Sequence, residues 1–227
     1  MSIARISDIF LSYQGEGPYG GVKQLFIRFY GCSFNCDYCD TNLSSYENIA
    51  EEELEKRISE YKETYHSLSL TGGEPLEQVE FLEGFLPLYR INSKKIVYLE
   101  TNGIYFSNFE KIKDCVDIVA MDFKLPSSTG KGACWDEHKK FLEIARYKDV
   151  FVKIVITENT VIDDVIITKN IIKNIDYKIP IILQPVDPVR GIGEPSVDML
   201  TDFRIELEKE LIAVKTIPQY HKILGIK

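Results

Sequence analysis

Residues 25–39 read Leu-Phe-Ile-Arg-Phe-Tyr-Gly-Cys-Ser-Phe-Asn-Cys-Asp-Tyr-Cys. The first six form a short, nearly continuous apolar run, as expected of a strand buried on both faces of a parallel sheet. A polar loop with three thiols comes next. The same order, an apolar β-branched run and then polar or glycine-rich residues, returns along the chain. Further strands are expected at Leu68–Thr71, Ile96–Glu100, Ile118–Met121, Val150–Ile156, Pro180–Gln184 and Leu211–Thr216. Helical spacing fills the intervals at Glu51–Tyr65, Val79–Tyr89, Asp136–Arg146, Val161–Ile175 and Ser196–Glu208. Alternating strands and helices imply an α/β fold with a parallel sheet joined by right-handed crossovers. Six or seven such strands fit a complete or partial (β/α) barrel, or an open doubly wound sheet. No repeat, low-complexity tract or linker interrupts the pattern, so residues 1–227 read as one domain.

A barrel places its reactive residues at the C-terminal ends of the strands. Cys32 follows the first expected strand, Gly72-Gly73-Glu74-Pro75 the second and Thr101-Asn102-Gly103 the third. Asp122 and Lys124 follow the fourth, and Gln184-Pro185 the sixth. The chemistry-bearing residues thus gather on one rim.

The 227 residues are 44% hydrophobic and 27% charged, the balance of a globular protein with a sizeable core. Lys and Arg number 27 against 35 Asp and Glu, a net charge of −8. That argues against a broad basic nucleic-acid surface. No apolar run approaches the roughly 18 residues of a spanning helix, and MSIARISDIF lacks the pattern of a signal peptide. The expectation is a cytoplasmic protein without membrane or nucleic-acid partners, its five cysteines free, catalytic or metal-binding.

Cys32, Cys36 and Cys39 are spaced C-x3-C-x2-C. Three thiolates this close can surround one metal centre. A structural zinc needs a fourth ligand, and neither Cys115 nor His66 offers a regular one. An iron–sulfur cluster held by three cysteines leaves one iron open. Spacing alone leaves a zinc knuckle possible. Cys115 and Cys134 read as ordinary thiols.

The cysteine loop after the first strand, with Tyr38 before its third cysteine, together with Thr71-Gly72-Gly73-Glu74-Pro75 after the second strand, resembles the radical S-adenosylmethionine superfamily. The resemblance covers nearly the whole chain and implies a partial (β/α) barrel of about six parallel strands. It implies a [4Fe-4S] cluster on Cys32, Cys36 and Cys39, with S-adenosylmethionine on the open iron. One-electron cleavage of that cofactor would give a 5′-deoxyadenosyl radical that abstracts a hydrogen atom from substrate.

Four features narrow the resemblance. Residues 12–17 read SYQGEG; Arg28 alternates within an apolar strand; Asp40-Thr41 follows the last cysteine; Pro218-Gln219-Tyr220-His221-Lys222 lies near the end. Taken singly, these also suit a surface turn, a structural ion pair, a cap and an exposed tail. Together they resemble the 7-carboxy-7-deazaguanine synthase family, which converts 6-carboxy-tetrahydropterin to 7-carboxy-7-deazaguanine on the route to queuosine. The resemblance implies that Tyr13, Gln14, Gly15, Glu16, Thr71 and His221 meet the pterin, with Arg28 on its carboxylate and Thr41 on a Mg2+ ion. It implies a contact from the carboxylate of Lys227. S-adenosylmethionine would meet Gly73, Glu74, Thr101 and Asn102, the Asp122-Phe123-Lys124 segment and the Gln184-Pro185-Val186-Asp187 segment. Many members carry Ser-Pro-Lys where this chain has Asp122-Phe123-Lys124, which opens the contacts of Asp122 and Phe123 to question. The family precedent adds a homodimer and a one-electron donor such as a flavodoxin. A glycyl-radical-enzyme activase is the nearest rival, but those proteins lack the early QGEG. A non-enzymatic zinc or iron–sulfur module would leave the GGEP loop without a purpose.

Overall fold

The computed structural model describes residues 2–41 and 43–225. Their strands form a single nine-stranded sheet. β1 (Ile3–Tyr13), β2 (Lys23–Phe29) and β3 (Glu47–Ala50) are followed by α1 (Glu51–Glu60), β4 (Ser67–Gly72), α2 (Val79–Asn92), β5 (Ile96–Thr101) and α3 (Phe106–Ile112). Then come β6 (Ile118–Asp122), α4 (Pro126–Thr129), α5 (Trp135–Ala145), β7 (Asp149–Ile156) and α6 (Ile162–Asp176). The chain continues with β8 (Ile181–Pro185), α7 (Val197–Glu208), β9 (Val214–Thr216) and α8 (Tyr220–Leu224). The strand order is β3-β1-β2-β4-β5-β6-β7-β8-β9. From β2 onward every pairing is parallel, whereas β1 pairs antiparallel with both β2 and β3. The ends β3 and β9 do not meet, so the barrel is partial.

Strand alternation gives the sheet two unlike faces. Leu25, Ile27, Leu68, Leu70, Val97, Leu99, Val119, Met121, Val152 and Ile154 point one way, into the main core. There they meet Leu54, Phe81, Phe85, Phe109, Phe141, Val165 and Phe203 from the helices. The residues between them face the concave side. At its base Tyr98, Ile118, Ala120, Phe151 and Ile182 form a second apolar cluster with Tyr19 against it. Above that plug the concave residues turn polar: Arg28, Thr71, Glu100, Asp122, Lys153 and Gln184. The mouth of the barrel is therefore built from strand positions, not from mobile loops alone.

The parallel strands lie where the sequence places them, although the last shrinks from Leu211–Thr216 to Val214–Thr216. The helix expected over Glu51–Tyr65 stops at Glu60. Tyr61 takes extended backbone and its hydroxyl donates to the Ile9 carbonyl of β1 at 2.8 Å. β1, β3, α3, α4 and α8 have no counterpart among the expected elements. β1 alternates apolar and polar residues and is only half-buried, unlike the continuous runs around it. β3 has four residues, and α3 is a short seven-residue helix.

The two faces should answer mutation differently. Leu99→Ala, in the fully buried helix-side core, should cost about 2–5 kcal/mol in urea unfolding. The Ser69 hydroxyl, on the concave side, is buried with no hydrogen-bond partner among the described residues. Ser69→Ala should cost less than about 1 kcal/mol, because it removes an unsatisfied group.

Candidate active site

A cavity of about 550 Å³ opens at the C-terminal ends of the strands. Cys32, Cys36 and Cys39 line it together with Thr41, Thr71, Gly73, Thr101, Asn102, Asp122, Lys124, Gln184 and Val186. Residues from almost every expected strand end thus share one space.

The cysteine loop is held from two sides. Tyr38 and Cys36 are buried against Val155 and Val186 of the β7 and β8 ends. The Asp37 amide donates to the Thr129 carbonyl at 3.0 Å, and Asp37 pairs with Lys131 at 2.7 Å. Asn35 turns the loop with φ of 47°, a left-handed conformation that Asn tolerates. Burial raises the Cys32 and Cys36 thiols above their ordinary range, so ligation would have to be driven by the charge of the iron. Among the described residues, no three His, Cys, Asp or Glu groups are placed to hold one metal ion. A cubane cluster takes each cysteine on a different iron, and the three thiols on one cavity wall suit it. Cys115 packs against the helix-side core, and the Cys134 thiol donates to the Gly132 carbonyl just before α5. Neither lines the cavity.

The Gly-Gly-Glu-Pro loop lies directly on the cysteine loop. A Cβ on Gly73 would fall 1.8 Å from the Gly31 carbonyl oxygen. Glu74 is fully buried and does not line the cavity. Its carboxylate accepts from the Thr101 hydroxyl at 2.8 Å, the Asn102 amide at 2.7 Å and the Leu76 amide at 3.0 Å. Burial outweighs those bonds and lifts its pKa to about 7. Glu74 thereby holds the β5 rim in place. Asn102 is fixed further by His138 of α5, whose Nε2 lies 3.0 Å from the Asn102 carbonyl. Burial lowers that imidazole to about 4, so it is neutral and can donate from Nε2. The Asn102 Nδ2 and Gln184 Oε1 atoms are buried without hydrogen-bond partners among the described residues, on residues that line the cavity.

On β6, Asp122 and Lys124 enter the cavity and pair at 2.9 Å. Lys124 also donates to the Tyr38 hydroxyl at 3.3 Å. Phe123 turns the other way, its ring 4.3 Å from that of His138 in the core, which leaves its backbone to face the rim. Of the β8 segment, Gln184 and Val186 line the cavity while Pro185 and Asp187 do not. Asp187 instead lies 3.5 Å from Lys222, which also pairs with Asp40 at 2.5 Å.

Of the N-terminal motif Glu16 reaches the cavity floor, while Gln14, Gly15 and the C-terminal His221 do not line the cavity. Gln14 is buried, and its Nε2 donates to Glu100 at 2.8 Å. Glu16 lines the cavity; its carboxylate bonds Lys153 and accepts from Gln219 Nε2 at 2.7 Å. Gly15 packs so tightly against His221 that a Cβ would come within 2.2 Å of its ring. Thr71 donates to Glu100 at 2.7 Å and is registered with Arg28 on β2. The Arg28 guanidinium lies 5.1 Å over the Phe10 ring, and its Nε is buried without a hydrogen-bond partner among the described residues. Arg28 sits behind the cavity wall instead of on it. Tyr13 is half-exposed at the end of β1 and away from the cavity. Lys227 lies outside the described residues.

Glu100, Lys153 and Gln219 line the cavity as well and are absent from the expected site. The first two carry the signal that singles out Arg28, a charge inside an apolar strand.

The contact between the two loops can be tested. Gly73→Ala should cost about 1–3 kcal/mol through overpacking and lose most of the iron bound after reconstitution. Gly132→Ala, whose Cβ would meet nothing within 4 Å, should keep both stability and iron. Thermal melts and iron per chain measure the difference.

Residues 26–164 match the radical SAM superfamily. The 7-carboxy-7-deazaguanine synthase of Geobacter sulfurreducens is 35% identical, with 98% of this chain and 97% of that protein covered. The enzyme of that name from Archaeoglobus fulgidus is also 35% identical, over 99% of each. Among solved structures, QueE from Escherichia coli superposes with a TM-score of 0.64 at 20% identity, covering 94% of this chain and 93% of that one. A radical SAM methyltransferase from Sphaerobacter thermophilus gives 0.62 at 15% identity, covering 92% and 68%. The structural likenesses support the fold, and the full-length sequence relatives carry the assignment further: this chain belongs to the 7-carboxy-7-deazaguanine synthase family of the radical SAM superfamily.

Proposed function

We propose that the chain converts 6-carboxy-5,6,7,8-tetrahydropterin to 7-carboxy-7-deazaguanine with loss of ammonia, using a [4Fe-4S] cluster, S-adenosylmethionine and Mg2+. One observation carries this reading. The cysteine triad, the Gly-Gly-Glu-Pro loop, the N-terminal Gln-Gly-Glu-Gly and the C-terminal Pro-Gln-Tyr-His-Lys, all distant in sequence, converge on one cavity of about 550 Å³.

When bound, the cluster and S-adenosylmethionine supply the radical that takes a hydrogen atom from substrate. Cys32, Cys36 and Cys39 hold the cluster. Gly73, with no side chain and backed by Gly31, lets the cofactor approach the main chain. The unpartnered amide of Asn102 and carbonyl of Gln184 offer it a donor and an acceptor. The floor carboxylates of Glu16 and Glu100 offer acceptors, which suits the donor-rich edge of a 2-amino-4-oxopterin. Arg28, its Nε unpartnered behind Thr71, serves the substrate carboxylate, where its fork matches two oxygens. Thr41, two residues beyond Cys39 and on the cavity wall, supplies a hard oxygen suited to Mg2+. A flavodoxin-type electron donor, a cytoplasmic location and a homodimer complete the proposal.

The test is anaerobic incubation of reconstituted enzyme with S-adenosylmethionine, reductant, Mg2+ and the carboxy-tetrahydropterin, with mass detection of product. Formation of 5′-deoxyadenosine without the deazaguanine would refute the substrate assignment. Replacing Cys32, Cys36 or Cys39 with Ala should abolish cluster and turnover, while Cys115→Ala and Cys134→Ala keep the iron. Arg28→Ala should raise KM by the equivalent of about 2–5 kcal/mol, the loss typical of a desolvated charge pair, and Arg28→Lys should recover part of it. Thr41→Ala should abolish Mg2+ stimulation and keep the cluster. An unchanged Mg2+ titration with only a lower Tm would make Thr41 a simple cap.

A further inference from the structure

Lys153 stands alone as a charge within the β7 run Val-Phe-Val-Lys-Ile-Val-Ile. Its neighbours Val152 and Ile154 are fully buried in the main core, and alternation turns Lys153 to the concave side, where it lines the cavity. Its side chain is only 12% exposed. A cation so withdrawn from water is tolerated only with close counter-charges. It has them on both sides: the Glu16 carboxylate, to which it is hydrogen-bonded, and Asp122 Oδ1 at 3.3 Å. The Glu100 carboxylate adds to its field.

The floor therefore holds three carboxylates, Glu16, Glu100 and Asp122. Lys124 is directed to Asp122 and Tyr38. Among the described residues, Lys153 is the lysine that reaches Glu16. Glu16 in turn accepts from Gln219 of the C-terminal segment at 2.7 Å. Next to that bond, the Tyr220 amide donates to the Gly15 carbonyl at 2.8 Å. Lys153 thus sits at the head of a chain that runs from a rigid strand, through the N-terminal motif, to the C-terminal segment. Burial alone would raise the Glu16 carboxyl, yet Lys153 and Gln219 bring it down to about 2. The floor carboxylate thus stays a charged acceptor.

We propose that Lys153 is a positioning residue for substrate: by holding Glu16 between β7 and Gln219, it presents the Glu16 carboxylate to the donor edge of the pterin. This rests on the reading of the cavity as a carboxy-pterin site. Without Lys153, Glu16 and Glu100 face each other with no cation between them. Glu16 then loses its fixed direction and the clasp to Gln219 loosens. The cofactor side is held by Glu74, His138 and the loop glycines; Lys153 meets it at Asp122, which keeps Lys124 as its partner at 2.9 Å. The effect should fall on pterin affinity and spare the cluster and S-adenosylmethionine.

The experiment titrates reconstituted holoenzyme, with S-adenosylmethionine present, using 6-carboxypterin as a non-reacting fluorescent probe. Wild type, Lys153→Met, Lys153→Arg, Glu16→Gln and the Glu16→Gln/Lys153→Met double variant are compared. Iron content, S-adenosylmethionine Kd and Tm are read on each. Lys153→Met should weaken the probe at least tenfold and raise KM for the tetrahydropterin in proportion, with iron and S-adenosylmethionine Kd unchanged. Lys153→Arg should restore most of the loss. The double variant should bind no worse than the weaker single one, because both act through one carboxylate. It also leaves no unpaired Glu16 charge, and so keeps the comparison usable should Lys153→Met fold poorly. Unchanged probe affinity in Lys153→Met, or losses that multiply in the double variant, would overturn the proposal. Wild-type enzyme that neither binds the probe nor makes the deazaguanine would instead overturn the substrate reading beneath it.

Discussion

The amide of Gly73 donates to the Phe29 carbonyl at 2.9 Å, and that of Glu74 to the Gly31 carbonyl at 2.9 Å. These two bonds carry the β2–β4 pairing beyond the last residues of both strands and fasten the cofactor loop to the start of the cysteine loop. The close approach excludes side chains: Gly31 and Gly72 take φ of 96° and 121°, and Gly73 has no room for a Cβ. Radical chemistry requires the cluster, the sulfonium and the substrate hydrogen to keep fixed separations, and such precision is easier to build on sheet hydrogen bonds than on a free loop. Glu74 extends the same rigidity sideways, because its carboxylate takes both its contacts to the β5 rim from Thr101 and Asn102.

The two faces of the sheet divide the work. The helix side is almost wholly apolar and supplies the burial that stabilises the fold. That leaves the concave side free to hold groups that favour function at a cost in stability. Glu16, Glu100, Asp122, Lys124 and Lys153 crowd its upper half, and each buried charge there is tolerated through a partner. Below them the Tyr98, Phe151 and Ile182 cluster closes the barrel. Tyr19 stands edge-on to Tyr98 at 5.6 Å and anchors the chain just after the Gln-Gly-Glu-Gly motif, so the plug that seals the base also aims Glu16 upward.

Legibility in the sequence tracks the same division. Strands buried on both faces write themselves as continuous apolar runs, and all seven parallel strands stand near their expected places. The rim residues are legible in turn, because each lies one or two positions beyond a run. β1 was hidden by its half-exposed alternation, which resembles a loop more than a buried strand. Glu100 and Lys153 lay in plain view as charges inside Ile-Val-Tyr-Leu-Glu and Val-Phe-Val-Lys-Ile-Val-Ile. Their partners, however, are Gln14 and Thr71 for Glu100 and Glu16 and Asp122 for Lys153, and no local pattern announces a pairing across such separations. Phe123, Pro185 and Asp187 show the converse. Membership of a rim segment did not decide which way each side chain would point, since alternate positions face core and cavity.

The superfamily match begins at residue 26 and ends at residue 164, and residues from inside and outside it share the cavity. The cysteines, the Gly-Gly-Glu-Pro loop and the β5 and β6 rims lie inside it. Gln14, Glu16, Gln219 and His221 lie outside it, and of these Glu16 and Gln219 line the cavity. These outer segments are joined to each other by the Gly15–Tyr220 backbone bond and the Glu16–Gln219 contact. Lys222 ties them back across the mouth to Asp40 and Asp187. Two flanking pieces thus meet at the cavity and are held there by bonds to each other. The common core meets them at a few strand positions, where Lys153 and Glu100 provide charges for the flanks to answer.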